Sequence, residues 1–91
     1  MTEWKGQGVA LPDGTELRFR YAGAIHYGRI RDGLWCLPQG KARSPSGAAN
    51  MIAQKGRYNG WLYWEVKRPE DAQWLALASL RWAYGSARGE S

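Results

Sequence analysis

The sequence predicts an α+β fold: a small antiparallel sheet, made of a three-stranded meander and a fourth strand, with two short helices. Three observations lead there. Apolar and charged residues alternate with a period of two through residues 15–22, which marks a half-buried strand. Asp32-Gly33 is a hairpin dipeptide, because both central positions of its turn need positive φ. Ser44-Pro45 then opens an alanine-rich segment with a good N-cap and a proline at the first helical position.

In chain order, residues 1–11 are polar and glycine-rich around Trp4 and read as a flexible leader. Gly6-Gln7-Gly8 lacks the third glycine of a dinucleotide fingerprint. Pro12-Asp13-Gly14 is a turn that launches the first strand, Thr15–Ala22, where Leu17, Phe19 and Tyr21 alternate with Arg18 and Arg20. Gly23-Ala24 separates it from a second strand over Ile25–Arg31, and Asp32-Gly33 leads into a third at Leu34–Leu37, closed by Pro38-Gln39-Gly40. A helix is expected from Pro45 to about Lys55 with Ala48, Ala49 and Ile52 inward, and Gly56 ends it. Asn59-Gly60 turns the chain into the fourth strand, Trp61–Lys67, with Trp61, Tyr63 and Glu65 on one face and Leu62, Trp64 and Val66 on the other. Pro69-Glu70-Asp71 breaks that strand. Trp74, Leu77, Leu80, Arg81 and Tyr84 form the stripe of a second helix ended by Gly85, which starts either near Pro69 or near Leu77, since Trp74-Leu75 equally extends a strand. Residues 12–85 are thus expected to form the single domain that 91 residues allow, with 86–91 as a tail.

Composition narrows the function classes. Thirteen Lys and Arg, nine of them Arg, face eight Asp and Glu, for a formal charge of +5. That balance favours a polyanionic partner, and Arg suits bidentate phosphate and base-edge contacts. Six Trp and five Tyr exceed what a small core hides, so some aromatic surface is expected. Cys36 is the single cysteine, which rules out an internal disulfide, and the sequence shows neither a secretory-signal pattern nor a membrane-spanning run; a cytoplasmic location is expected. His26 and Cys36 fall on neighbouring strands and are the one conceivable nucleophile–base pair, against the ordinary reading of Cys36 as a buried inert thiol. No zinc ligand set, phosphate loop or nucleophile elbow is present, and the chain is expected not to be an enzyme and to need no metal or cofactor.

The basic residues carry more. Arg18 and Arg20 share one face of the first strand, Arg29 and Arg31 lie on its hairpin partner, Lys41 and Arg43 precede the helix, and Arg57 follows it. They read either as a solvated charged face or as phosphate clamps beside aromatic stacking groups. Trp61 and Trp64, three apart on a strand, point to opposite faces, so that one is core and the other exposed. Ser44 and Ser46 sit at a helix N-terminus, where free N–H groups and the helix dipole can hold a phosphate, or where Ser44 simply caps.

Leu11-Pro12-Asp13-Gly14-Thr15, then Ser44-Pro45-Ser46-Gly47-Ala48-Ala49, then Asn59-Gly60-Trp61 with Trp64 three residues on, resemble the RAMA (restriction enzyme–adenine methylase associated) domain over roughly residues 10–82. The pattern departs after Trp74-Leu75, where Ala76-Leu77-Ala78-Ser79 stands in place of an acidic capped helix start. Members of that family occur beside bacterial methylases and restriction nucleases and have been proposed to recognise modified DNA. The resemblance implies a non-enzymatic module of mixed α and β structure that binds DNA, with or without base modification, and a methylase or nuclease partner acting in trans. The DNA-contacting residues expected are Arg18, Arg20, Arg29, Arg31, Lys41, Arg43, Ser44, Ser46, Arg57, Asn59, Trp61 and Trp64. The alternative is a protein-interaction module, a subunit or inhibitor of a restriction or defence system, using its aromatics on a partner protein.

Overall fold

The computed structural model describes residues 2–53 and 60–80. They form strands β1 (Glu3–Gly6), β2 (Val9–Pro12), β3 (Glu16–Tyr21), β4 (Ala24–Arg31), β5 (Leu34–Leu37) and β6 (Gly40–Ala42), helices α1 (Pro45–Ala53) and α2 (Gly60–Tyr63), and strands β7 (Trp64–Lys67) and β8 (Leu75–Ala76). Residues 77–80 are helical. The expected meander is present as β3-β4-β5, within a six-stranded antiparallel sheet of order β6-β5-β4-β3-β7-β8. β1 and β2 pair separately as a hairpin.

The tight turns explain the meander. Asp32 and Gly33 have φ of 53° and 72°, the two positive values that match a hairpin to strand twist. Ala22-Gly23 does the same between β3 and β4, with φ of 54° and 78°, one residue earlier than the sequence suggests.

Register then sorts the side chains. Phe19 faces Trp64, Leu17 faces Val66, and Ile30 faces Trp35, which in turn faces Ala42. All of these are buried and lie on one face. The hairpin β1–β2 brings Trp4, Val9 and Leu11 to that face, and α1 brings Ala48 and Ala49. Ring centroids lie 5.1 Å apart for Trp35–Trp64 and for Phe19–Trp64, and 5.5 Å for Trp4–Trp35, edge-to-face or tilted.

Four expectations are corrected. The expected leader at 1–11 is not loose over its described residues, 2–11: Trp4, Val9 and Leu11 are core, and the indole N–H of Trp4 donates to the Arg43 carbonyl at 2.8 Å. The fourth strand starts at Trp64 rather than Trp61, because Gly60–Tyr63 is a helical turn. Trp61 lies in that turn and Trp64 is set by its pairing with Phe19, so the strand rule of opposite faces does not apply and both turn inward: Trp64 is 1% exposed, and Trp61 packs on the core 5.9 Å from Trp4. Strand β6 follows Pro38-Gln39, where a simple close was expected. The open question after Asp71 resolves as a short strand, β8, followed by helix at 77–80. The helix stop at Gly56, the stripe beyond Leu80 and the tail at 86–91 lie outside the described residues.

Candidate nucleic-acid interface

Among the described residues, the other face of the six-stranded sheet carries no helix or hairpin, and it is charged. Its residues follow from the same register. One cross-strand row runs Lys41, Cys36, Arg29, Glu16, Lys67; a second runs Tyr27, Arg18, Glu65, Ala76. Arg20 opposite Ile25, and Arg31 opposite Leu34, complete it. Six basic side chains thus share the face with two carboxylates, a local excess that attracts polyanions.

Arg18 is the best fixed of the six. Its Nε donates to Glu65 Oε1 at 2.7 Å, and its guanidinium lies 4.4 Å from the centre of the Trp74 ring. The Arg18 hydrogen bond holds the Glu65 carboxyl below the usual glutamate range. Trp74 reaches this position through a turn that Asp71 fastens: its Oδ2 accepts from the Arg68 backbone N–H at 2.9 Å and from Nε at 2.8 Å, and its Oδ1 accepts from the Arg68 guanidinium at 3.1 Å. The Trp74 ring is 6.4 Å from that of Tyr27, which is 55% exposed. Arg29 touches Glu16 only at 4.0 Å, and both side chains are about half exposed, so that pair restrains little.

Of the expected contact residues, the structure brings Arg18, Arg20, Arg29, Arg31 and Lys41 together on this face. Arg43 is exposed outside the sheet. Arg57 and Asn59 lie outside the described residues. The remaining four hold the fold. Ser44 Oγ accepts the Gly47 N–H at 3.0 Å as an N-cap, and Ser46 Oγ accepts the Gly60 N–H at 3.1 Å. Gly60 is pressed so closely on α1 that a Cβ there would lie 2.2 Å from the Pro45 carbonyl carbon. Trp64 donates its indole N–H to the Pro45 carbonyl at 2.9 Å from within the core, and Trp61 packs beside it. The α1 N-terminus is therefore covered by α2, which corrects the expectation of a phosphate there. Contacts of Ser46 with Gly60 and of Pro45 with Trp64 thus join the start of α1 to the segment that begins at Gly60.

The sequence reading missed Tyr27, Lys67 and Trp74. Tyr27 shares the parity of Arg29 and Arg31, and Lys67 that of Glu65, so period-two counting identifies both. Trp74 follows a turn and has no such signal. His26 lies on the core face opposite Phe19, whereas Cys36 lies on the open face opposite Arg29, so they do not form a nucleophile–base pair. Among the described residues, no group of three His, Cys, Asp or Glu is placed to hold a metal ion, and no helix is long and apolar enough to cross a membrane. No family model, no curated protein and no solved structure matches the chain.

Proposed function

We propose that the protein is a non-enzymatic DNA-binding module that contacts its ligand through the open face of the six-stranded sheet. The observation that carries this reading is the gathering of Arg18, Arg20, Arg29, Arg31, Lys41 and Lys67 on one sheet face that no described helix or hairpin covers, around Tyr27 and Trp74. Phosphate neutralisation by such a face supplies sequence-independent affinity, and aromatic rings beside it add contacts to bases. Recognition of modified DNA, and work beside a methylase or nuclease in a restriction–modification or defence setting, are supported by the resemblance to the RAMA domain.

Fluorescence anisotropy with a labelled oligonucleotide at rising salt tests the reading. With about 4 phosphates neutralised, log affinity should fall with log salt at a slope near −3 to −4. Replacing Arg20, Arg29, Arg31 and Lys41 by Gln should flatten the slope; Arg18 is spared because it holds Glu65 and Trp74. Absence of binding, or an unchanged slope, would sink the proposal. A salt-insensitive complex with a protein would favour the interaction-module reading instead.

A further inference from the structure

We infer that the Ile25–Tyr27 strip of β4, with the Arg18–Trp74 stack beside it, is a base-stacking platform that selects single-stranded DNA over duplex; this rests on the DNA-binding reading of the same face.

Width is the first argument. Neighbouring strands lie about 4.8 Å apart, so six of them make a surface roughly 24 Å across, and even the four central strands span about 14 Å. The major groove of B-DNA is about 12 Å wide and admits a helix or a two-stranded ribbon. This sheet cannot enter it face-on. Against a duplex it meets phosphates alone, and its exposed apolar groups stay in water.

Those groups are the second argument. Ile25 and Tyr27, 43% and 55% exposed, are the large hydrophobics left open on the sheet face. They point the same way along β4, about 6.7 Å apart. Each has a cation directly across the β3–β4 ladder: Arg20 opposite Ile25 and Arg18 opposite Tyr27. Arg29 follows Tyr27 on the same side. Apolar surface thus alternates with guanidinium groups at side-chain spacing, which suits a strand whose bases lie flat while its phosphates reach sideways. The Trp74 ring, held against the Arg18 guanidinium and 6.4 Å from Tyr27, is a further plane beside the strip on which a base can stack. A duplex hides the faces of its bases inside its own stack, so only an unpaired strand makes use of these planes.

The test measures binding of labelled dT12 and of the dA12–dT12 duplex at the same salt, with Tyr27→Ala and Tyr27→Phe variants whose melting is followed in parallel. Tyr27 is largely exposed, so both variants should stay folded. The expected result is dT12 bound at least 10-fold more tightly than the duplex. Tyr27→Ala should weaken dT12 binding by roughly 10-fold, as loss of one stacked base does, and should leave the duplex affinity and the salt slope unchanged. Tyr27→Phe keeps the ring and should bind like the parent. Duplex bound as tightly as dT12, or dT12 binding indifferent to Tyr27→Ala, overturns the single-strand platform while leaving a phosphate-contacting face intact. Failure of both oligonucleotides to bind overturns the DNA-binding reading and this inference with it.

Discussion

Trp64 and Trp35 lie 5.1 Å apart in one core, yet of these two only Trp64 finds an acceptor for its indole N–H, the Pro45 carbonyl; the buried Trp35 Nε1 has none among the described residues. Substitution by Phe removes similar volume at both sites. At Trp64 it also breaks a buried hydrogen bond, and at Trp35 it removes an unsatisfied donor. Trp64→Phe should therefore unfold at lower denaturant than Trp35→Phe, by about 1–3 kcal/mol of stability. Asp13 gives the residue scale its pH dependence. Its carboxylate accepts from the Thr2 hydroxyl and from the backbone N–H groups of Asp32 at 3.0 Å and Gly33 at 3.1 Å, tying the turn after β2 to the turn after β4. The Thr2 hydrogen bond first, then the two backbone donors, lower its pKa below the ordinary aspartate value. A lowered folded-state pKa stabilises the fold above the unfolded value of about 3.9, and that contribution disappears as pH falls through the folded-state pKa. Asp13→Asn should lower the melting temperature at pH 7 and flatten its fall below about pH 4. Melting curves across pH 2–7 check both.

At the scale of elements, the contact between α1 and α2 depends on an absent side chain. A Cβ on Gly60 would meet Pro45 C, Pro45 O and Ser46 N at 2.2, 2.3 and 2.6 Å, all backbone atoms that cannot swing aside. Gly60→Ala should cost about 3 kcal/mol or more, measured by chemical denaturation, since overpacking against backbone has no rotamer escape. The same contact shows where sequence reading stops. Period-two alternation and positive-φ dipeptides made β3, β4 and β5 legible, and with them four of the basic residues of the open face, Arg18, Arg20, Arg29 and Arg31. Trp61 and Trp64 were misplaced because a spacing of three means opposite faces only where both residues lie in one strand, and a single helical turn is too short to declare its period. The β1–β2 hairpin was hidden for a related reason. Its strands have four residues each, and its turn uses Gln7 at φ 51°, a residue that does not advertise a positive φ.

For the molecule as a whole, the sheet divides two tasks. One face is closed by the hairpin and by α1, and buries its tryptophans; the other keeps Arg20, Arg29, Arg31 and Tyr27 in water, with Arg18 half-buried beneath Trp74. Strand parity alone produces this division, so a one-residue slip in β3 would exchange Leu17 and Phe19 with Arg18 and Arg20. The closure needs its smallest part. Without residues 1–12 the chain would lose Trp4, Val9 and Leu11 and expose Trp35, in a domain small enough that little core is spare. A chain beginning at Asp13 should show no cooperative thermal transition, which calorimetry would reveal; a sharp transition near that of the full chain would contradict the hairpin's place in the core.

The pairing of β3 with β7, which sets Phe19 beside Trp64 and Glu16 beside Lys67, has a consequence for synthesis on the ribosome. β4 follows β3 at once and covers one of its edges, while the strand that covers the other is made about 45 residues later. At ~5–20 residues per second, that edge waits roughly 2–9 s. During this time an emerging chain offers unpaired amides flanking Leu17 and Phe19, the kind of edge that recruits a neighbouring nascent chain. Arg18 and Arg20 alternate with those residues, and their charges oppose such pairing between copies. Charge on β3 therefore works against association at a stage when the edge has not yet found β7.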